Sequence, residues 1–380
     1  MKALIAGCGI AGAVTAVALR RAGIDVTVYE AYTRSADGVG AFLSLPTNGL
    51  AVLSELDLLP LVTAAGFPTP GVHVFDRRGA RIGDISYGTP LPCGTVAHTI
   101  KRADLYRILR DACEAAGARV VYGKRLASLE STEDGVRVGF ADGTTAAGDV
   151  LIGADGLRST TRTLLDPTAP AIRYTGIIET GGYADIEVDD DPGTLHLTYG
   201  RNGLFCHVLH PSGAVWWFAQ PPHPEPIRPS ADQWRADLIA RYSVDDSPAA
   251  AIIAASVEVF TPYPAYDVPT LPTWHRGAAV LIGDAAHAAS PASGQGAAMA
   301  LEDAITLARH LRDTPHIPTA LADYTATRRP RVERAVAQGK LNGDLGRVGR
   351  LAAPLIFKSL APDHFSWLTD HHESWHTLPA

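Results

Sequence analysis

Residues 2–30 read KALIAGCGIAGAVTAVALRRAGIDVTVYE: an apolar run, a glycine-spaced turn, a helix-like stretch and a second apolar run closing on an acid. Gly7, Gly9 and Gly12 have the G-x-G-x-x-G spacing, with Cys8, Ile10 and Ala11 between them, after a predicted strand over Ala3–Ala6. The first glycine permits a tight turn, the second lets a pyrophosphate approach the backbone, and the third lets the next helix pack closely on the sheet. A helix over Ala11–Arg21 then aims its free N–H groups and positive dipole end at the phosphates. Gly23 ends it, a strand over Asp25–Tyr29 follows, and Glu30 stands 23 residues beyond Gly7, where a carboxylate can accept hydrogen bonds from adenosine ribose hydroxyls. The order strand, turn, helix, strand, acid favours a dinucleotide cradle over a ligand-free glycine turn. Glycines interrupting the apolar stretch also argue against a secretory signal.

Composition narrows the class. The 380 residues can hold two domains, and 46% hydrophobic content sets disorder aside. A formal charge of −7 argues against a nucleic-acid or acidic-membrane surface. No apolar run approaches the roughly 20 residues of a membrane span. Cys8, Cys93, Cys113 and Cys206 are too scattered for a zinc or disulfide framework. The expectation is a soluble protein of a reducing, cytoplasmic compartment with no metal centre.

Beyond Glu30 the pattern predicts a helix around Leu50–Leu56, a hairpin over Gly71–Ser86, a helix over His98–Ala116 and a strand over Asp149–Gly153. Residues 173–220 read as successive strands, and the chain from Ala297 reads as helical. The fold class is therefore α/β: a Rossmann-like dinucleotide domain (1–70, 98–172 and 262–330), an inserted β-sheet-rich substrate domain (71–97 and 173–261) and a C-terminal helical segment (331–380).

Two later motifs carry chemistry. In DVLIGADGLRSTTR, Asp155 ends a buried strand, and Ser159 and Arg162 begin a helix; a ligand site and a simple N-capped turn both fit. In AAVLIGDAAHAASPASGQGAAMALEDA, a strand ends at Gly283-Asp284, and beyond Pro291 the run Gly294-Gln295-Gly296 opens a helix. Asp284 is placed to bind a ribityl or ribose hydroxyl, and the free helix N–H groups face the same crevice. His287 suits either loop support or proton transfer, and no catalytic role is assigned to it.

On these three motifs, with the segments Leu45-Pro46-Thr47-Asn48-Gly49 and Arg102-Ala103-Asp104-Leu105, the chain resembles single-component FAD-dependent monooxygenases of the p-hydroxybenzoate hydroxylase type, the group A aromatic hydroxylases. The resemblance implies that Arg102 contacts the ribityl or phosphate region of FAD. It assigns Asp284 to the ribitol and pyrophosphate, and Asp155 with Arg162 to the region shared by FAD and NAD(P)H. Many relatives place an arginine directly after the ribose acid. This chain has Ala31, so adenine contacts differ or come from Arg34. The resemblance also implies a cycle: NADH or NADPH visits transiently and reduces bound FAD, molecular oxygen adds, and a C4a-hydroperoxide hydroxylates an electron-rich aromatic or polyketide-like small molecule. No catalytic side chain is required, in keeping with the absence of a nucleophile triad, metal motif or P-loop. Tyr183, Tyr199, Phe205, His207, Trp217 and Phe218 are the expected substrate-pocket residues. A flavin reductase without oxygen insertion and a non-catalytic flavoprotein sheltering a reactive intermediate are the alternatives.

Overall fold

The computed structural model describes residues 1–33, 41–132, 135–348 and 364–376. Arg34, most of the loop containing it and part of the C-terminal helical segment lie outside these residues.

The opening motif forms as its residues dictate. Lys2–Ala6 is a strand, Ile10–Arg21 a helix and Asp25–Tyr29 a parallel partner strand in register Ala3↔Val26. They sit at the centre of a six-stranded sheet that also contains Arg119–Val121, Val150–Gly153 and Ala279–Leu281, all parallel, with the antiparallel edge strand His275–Arg276. The neighbouring strands Lys2–Ala6 and Val150–Gly153 have nearly continuous buried apolar runs because they are covered both by helices and by a three-stranded antiparallel sheet, Leu126–Thr132, Gly135–Phe140 and Thr145–Gly148. The helix Ile10–Arg21 presents small residues, Gly12, Ala13 and Ala16, all buried. They let it lie against the helix Gly296–Asp313 and the carboxyl ends of the strands.

A second sheet of eight strands is built from Val72–Asp76, Arg81–Ile85 and the segments between 173 and 267. Its central strands Leu195–Gly200, Gly203–Leu209 and Val215–Gln220 are antiparallel neighbours, and alternation gives the sheet two distinct faces. One buries Phe205 and Trp217 under the helices Ala231–Tyr242 and Ala249–Ala254. The other carries Leu195, Tyr199, Cys206 and Trp216. The strand Tyr263–Asp267 pairs with the long strand Arg173–Ala184, so a segment expected with the cofactor half hydrogen-bonds to the eight-stranded sheet.

One element differs from its sequence expectation. The helix expected over His98–Ala116 starts only at Arg102, because His98–Lys101 is a strand paired with Phe42–Leu45 and Phe67–Pro68. Apolar residues at helical spacing begin at Leu105, whereas Thr99 and Ile100 are β-branched and are satisfied by the ladder. Among the described residues no helix is long and apolar enough to cross a membrane.

Candidate active site

The first glycine cluster is shaped for a phosphate. Gly7 has φ +99°, and a side chain there would run into the Ala154 carbonyl. One at Gly12 would strike the Gly7 carbonyl oxygen. At Gly9, the second glycine, an added Cβ would meet only Tyr106 Cε1, at an ordinary contact distance of 3.6 Å, so no protein backbone crowds this position. The strand end, the turn and the helix N-terminus thus leave a cradle that fits a pyrophosphate. Glu30 accepts from the Cys8 N–H (2.8 Å) and the Tyr32 N–H (2.9 Å), which clamps the turn to the second strand. Each oxygen retains a lone pair for a ribose hydroxyl.

The crevice's other wall is the turn after Ala279–Leu281. Gly283 has φ +55°, and a Cβ there would lie 2.8 Å from the Ala11 Cβ, so only glycine lets the turn pack on the first helix. Asp284 is exposed and accepts no hydrogen bond from the described residues, leaving an available acceptor in the crevice. Burial alone would lower the pKa of Arg102, but Tyr106, Tyr263 and Asp284 raise it above the ordinary arginine value, so its charge persists beside Asp284. Farther on, Pro291–Ser293 forms a short 3₁₀ turn, Gly294 adopts the left-handed conformation (φ +62°), and Gly296 opens the helix Gly296–Asp313 with nothing within 4 Å of an added Cβ.

Asp155 and Arg162 are committed to protein partners. The Asp155 carboxylate accepts from the Ser159 hydroxyl and from the Thr161 N–H and hydroxyl (both 2.9 Å), capping the helix Thr160–Leu165. Buried Arg162 donates to the carbonyls of Leu157 (2.6 Å) and Ala285 (2.9 Å), bracing one phosphate-side turn against the other. His287 is likewise a brace. Its ring stacks on Trp274 at 5.3 Å, and Nε2 meets Asp303 Oδ2 at 2.6 Å.

A buried ionic network behind this turn was not anticipated from the sequence. Asp303 accepts from the Gly283 N–H (2.9 Å) and from Arg328 Nε (2.8 Å). Glu302 accepts from Arg328 (2.6 Å), from Arg331 (2.8 Å at both oxygens) and from Asn48 (2.8 Å), and Asn48 also donates to Gln295 (3.1 Å). Burial pushes both carboxyl pKa values up. Arg328 and Arg331 at Glu302, and His287 and Arg328 at Asp303, outweigh it and hold both below the usual range. The acid pair and its arginines are about 25 residues apart along the chain, a separation at which no local pattern signals pairing.

Between this turn and the apolar face of the eight-stranded sheet lies a cavity of about 150 Å³. Leu195, Leu197 and Tyr199, at alternate positions of one strand, line it with Leu204 and Cys206 of the next and Phe218 and Gln220 of the third. Pro291, Gly294 and Gln295 form the cofactor-side wall, and Phe365, Leu368 and Thr369 of the C-terminal segment complete it. That segment is tied down by Arg331 bonds to the Trp367 and Leu368 carbonyls (both 2.8 Å) and by Thr47 Oγ1 donating to the Thr369 carbonyl (3.0 Å). Among the described residues no charged side chain lines the cavity.

Of the six expected pocket residues, Tyr199 and Phe218 line it. Tyr183 shares their face but lines a separate depression with Lys101, Asp104 and Trp216. Phe205, His207 and Trp217 point to the opposite face, where Phe205 stacks on Trp217 (5.8 Å) and Trp217 Nε1 donates to Ser256 Oγ (2.8 Å). The expectation for these three was wrong by one strand face: aromatic character marks burial but not which side of a sheet is buried against what. Gln220 and Glu179 were missed. Gln220 lines the cavity and donates to Glu179 Oε1 at 2.8 Å. Burial raises the Glu179 pKa, only partly offset by Tyr263, Gln220 and the charge of Arg102.

The comparisons agree with this geometry. The sequence pattern of the FAD binding domain family matches residues 1–339. The chain is 32% identical over 350 residues to an FAD-dependent urate hydroxylase of Klebsiella pneumoniae, covering 91% of this chain and 90% of the relative. It is 32% identical over 360 residues to aurachin C monooxygenase/isomerase of Stigmatella aurantiaca, with the same coverages. The crystal structure of Klebsiella pneumoniae HpxO complexed with FAD and uric acid superposes with a TM-score of 0.86 at 28% identity, covering 97% of each chain. The family match over residues 1–339, with relatives 32% identical over nine-tenths of the chain, makes this chain a member of the FAD binding domain family and an FAD-dependent oxidoreductase of the monooxygenase kind.

Proposed function

We propose that this enzyme hydroxylates a neutral, largely apolar aromatic or polyketide-like molecule, consuming molecular oxygen and NADH or NADPH. The observation that carries the reading is a cavity that no charged side chain among the described residues lines, standing directly against the glycine turn of the cofactor crevice. A carboxylate or other anion entering it would lose hydration with no cation to replace it. A flat apolar ring loses nothing polar and gains contacts with Leu195, Leu197 and Phe218.

Bound FAD would supply the electron transfer and oxygen activation. The chain's own residues bind, orient and exclude water. Backbone N–H groups at Gly9 and Gly296 hold the phosphates, Glu30 the ribose and Asp284 a ribityl hydroxyl. Arg102 contributes a fixed positive charge at the same crevice. Gln220 spends its amide N–H on Glu179, which leaves its carbonyl oxygen to accept from a substrate hydroxyl and set the ring's angle. The tail residues Phe365 and Leu368 keep water from the reacting carbon. A second glycine fingerprint is absent from the sequence, in keeping with a nicotinamide that visits and leaves. Four free cysteines suit a reducing, cytoplasmic setting.

The test is a matched panel of aromatics with and without a carboxylate. NAD(P)H oxidation is followed first, then incorporation of ¹⁸O from labelled oxygen into product. Neutral members should stimulate oxidation and acquire label. Preference for the carboxylated members would refute the substrate class, and stimulation without label would favour a reductase.

A further inference from the structure

The outer face of the substrate sheet carries a ladder of ionisable side chains that the flavin chemistry does not use. His207 is directly opposite His196 in the antiparallel pair, His196 is opposite His73 in the parallel pair, and His73 is opposite Asp84. Alternation puts all four on the face away from the cavity, the face that also carries Phe205 and Trp217. Asp190, from the connection after the strand Arg173–Ala184, closes over the two central rungs. Its Oδ2 lies 2.9 Å from His207 Nε2 and its Oδ1 3.2 Å from His196 Nδ1. The three side chains are 14%, 14% and 3% exposed for Asp190, His196 and His207.

We infer that Asp190, His196 and His207 form a binding site for one divalent transition-metal ion, which clamps the Asp190 connection onto the outer face of the substrate sheet. One nitrogen from each imidazole and one carboxylate oxygen come within 4.8 Å of one another. Donors bonded to zinc at about 2.0–2.1 Å in a tetrahedral shell stand roughly 3.3 Å apart, so the observed spacing needs only small ring rotations to admit an ion. Two imidazoles and a carboxylate suit zinc and its first-row neighbours rather than magnesium or calcium, which prefer all-oxygen shells. His207 Nδ1 is buried and has no hydrogen-bond partner. The ring can therefore move its proton to that nitrogen and present the Nε2 lone pair without breaking another bond. The sequence reading expected no metal centre from its scattered cysteines and the lack of a metal motif; His196 and His207 are eleven residues apart on separate strands and Asp190 is in a loop, a spacing that signals nothing locally. Only strand pairing makes them neighbours.

The experiment uses untagged, FAD-loaded protein stripped with chelator and titrated calorimetrically with zinc sulfate, with melting temperature read in parallel. Wild type should take up one equivalent and melt higher with zinc. His196→Asn and His207→Gln each retain an amide N–H that can reach Asp190 but are poor ligands. Each should lose more than the roughly 10–100-fold in affinity that even outer-shell changes cost, with FAD content unchanged. Asp190→Asn, a loop substitution, should do the same and decides the matter if a histidine variant fails to fold. The site is overturned if wild type binds no stoichiometric zinc, or if the variants bind as wild type does, which would assign uptake to others of the 14 histidines.

Discussion

The cofactor crevice and the apolar cavity proposed for the substrate share a wall at Pro291–Gln295 yet are built from opposite materials. Behind the crevice, Glu302, Asp303, Arg328, Arg331 and Asn48 form a buried, charge-compensated network that hydrogen-bonds to a backbone turn through the Gly283 N–H. The cavity is one largely apolar face of a sheet, on which Gln220 is a polar side chain anchored by Glu179. A ligand common to a whole family can be met by rigid backbone N–H groups held from behind. One that varies between relatives is met by side chains on strand faces, which change without disturbing the ladder. Hence the recognisable motifs belong to the crevice, and the cavity has none.

That contrast can be broken most severely at Arg328. Arg328→Met leaves Glu302 and Asp303 buried with one arginine instead of two, which should destabilise the protein by about 3–5 kcal/mol. Both denaturant midpoint and FAD retention should fall. A variant that binds FAD and unfolds like wild type would show that the network is not what holds the turn. Next in size, Asp284→Ala removes an exposed acceptor without touching the network. FAD affinity should drop by about 10–100-fold, the equivalent of a hydrogen bond to a charged group, while the melting temperature of the FAD-free protein stays put. Equal losses in both would mean that Asp284 supports structure.

On the cavity side, Phe218→Ala should raise the substrate KM by about tenfold or more through roughly 1.5–3 kcal/mol of lost apolar contact, with FAD affinity unchanged. If FAD affinity falls as well, the two sites are less separable than their materials suggest. The smallest effect is a pH dependence. Burial raises the Glu373 pKa, but bonds and charges from His371, Arg328 and Arg309 bring it from the ordinary glutamate value of 4.5 down to about 2. A depressed carboxyl pKa contributes stability that is complete above the unfolded value and lost as pH falls through the folded one. Melting temperature should therefore decline between about pH 4.5 and pH 2, and Glu373→Gln should flatten that part of the curve. A parallel decline in the variant would reassign it to Glu302 and Asp303.

Local chemistry was readable from the chain. Gly7, Gly12 and Gly283 announce themselves because their backbones allow nothing larger, and Glu30 because the carboxylate follows a strand at the required distance. At Asp155 and Arg162 the residues were legible but not their commitments: a capping aspartate and a ligand-binding one have the same local sequence. Phe205, His207 and Trp217 misled because alternation says which residues share a face and leaves open what that face meets.

The sequence alone determined the dinucleotide cradle, the α/β class and the family chemistry, since each rests on contacts spanning a few residues or on backbone conformations that particular residues enforce. Tertiary structure decided the face that became the cavity, the Arg328 network, the tail's place in the wall and the Asp190–His196–His207 cluster. These depend on pairing and register between segments far apart along the chain, and register is settled by the summed packing of the entire sheet rather than by any one stretch.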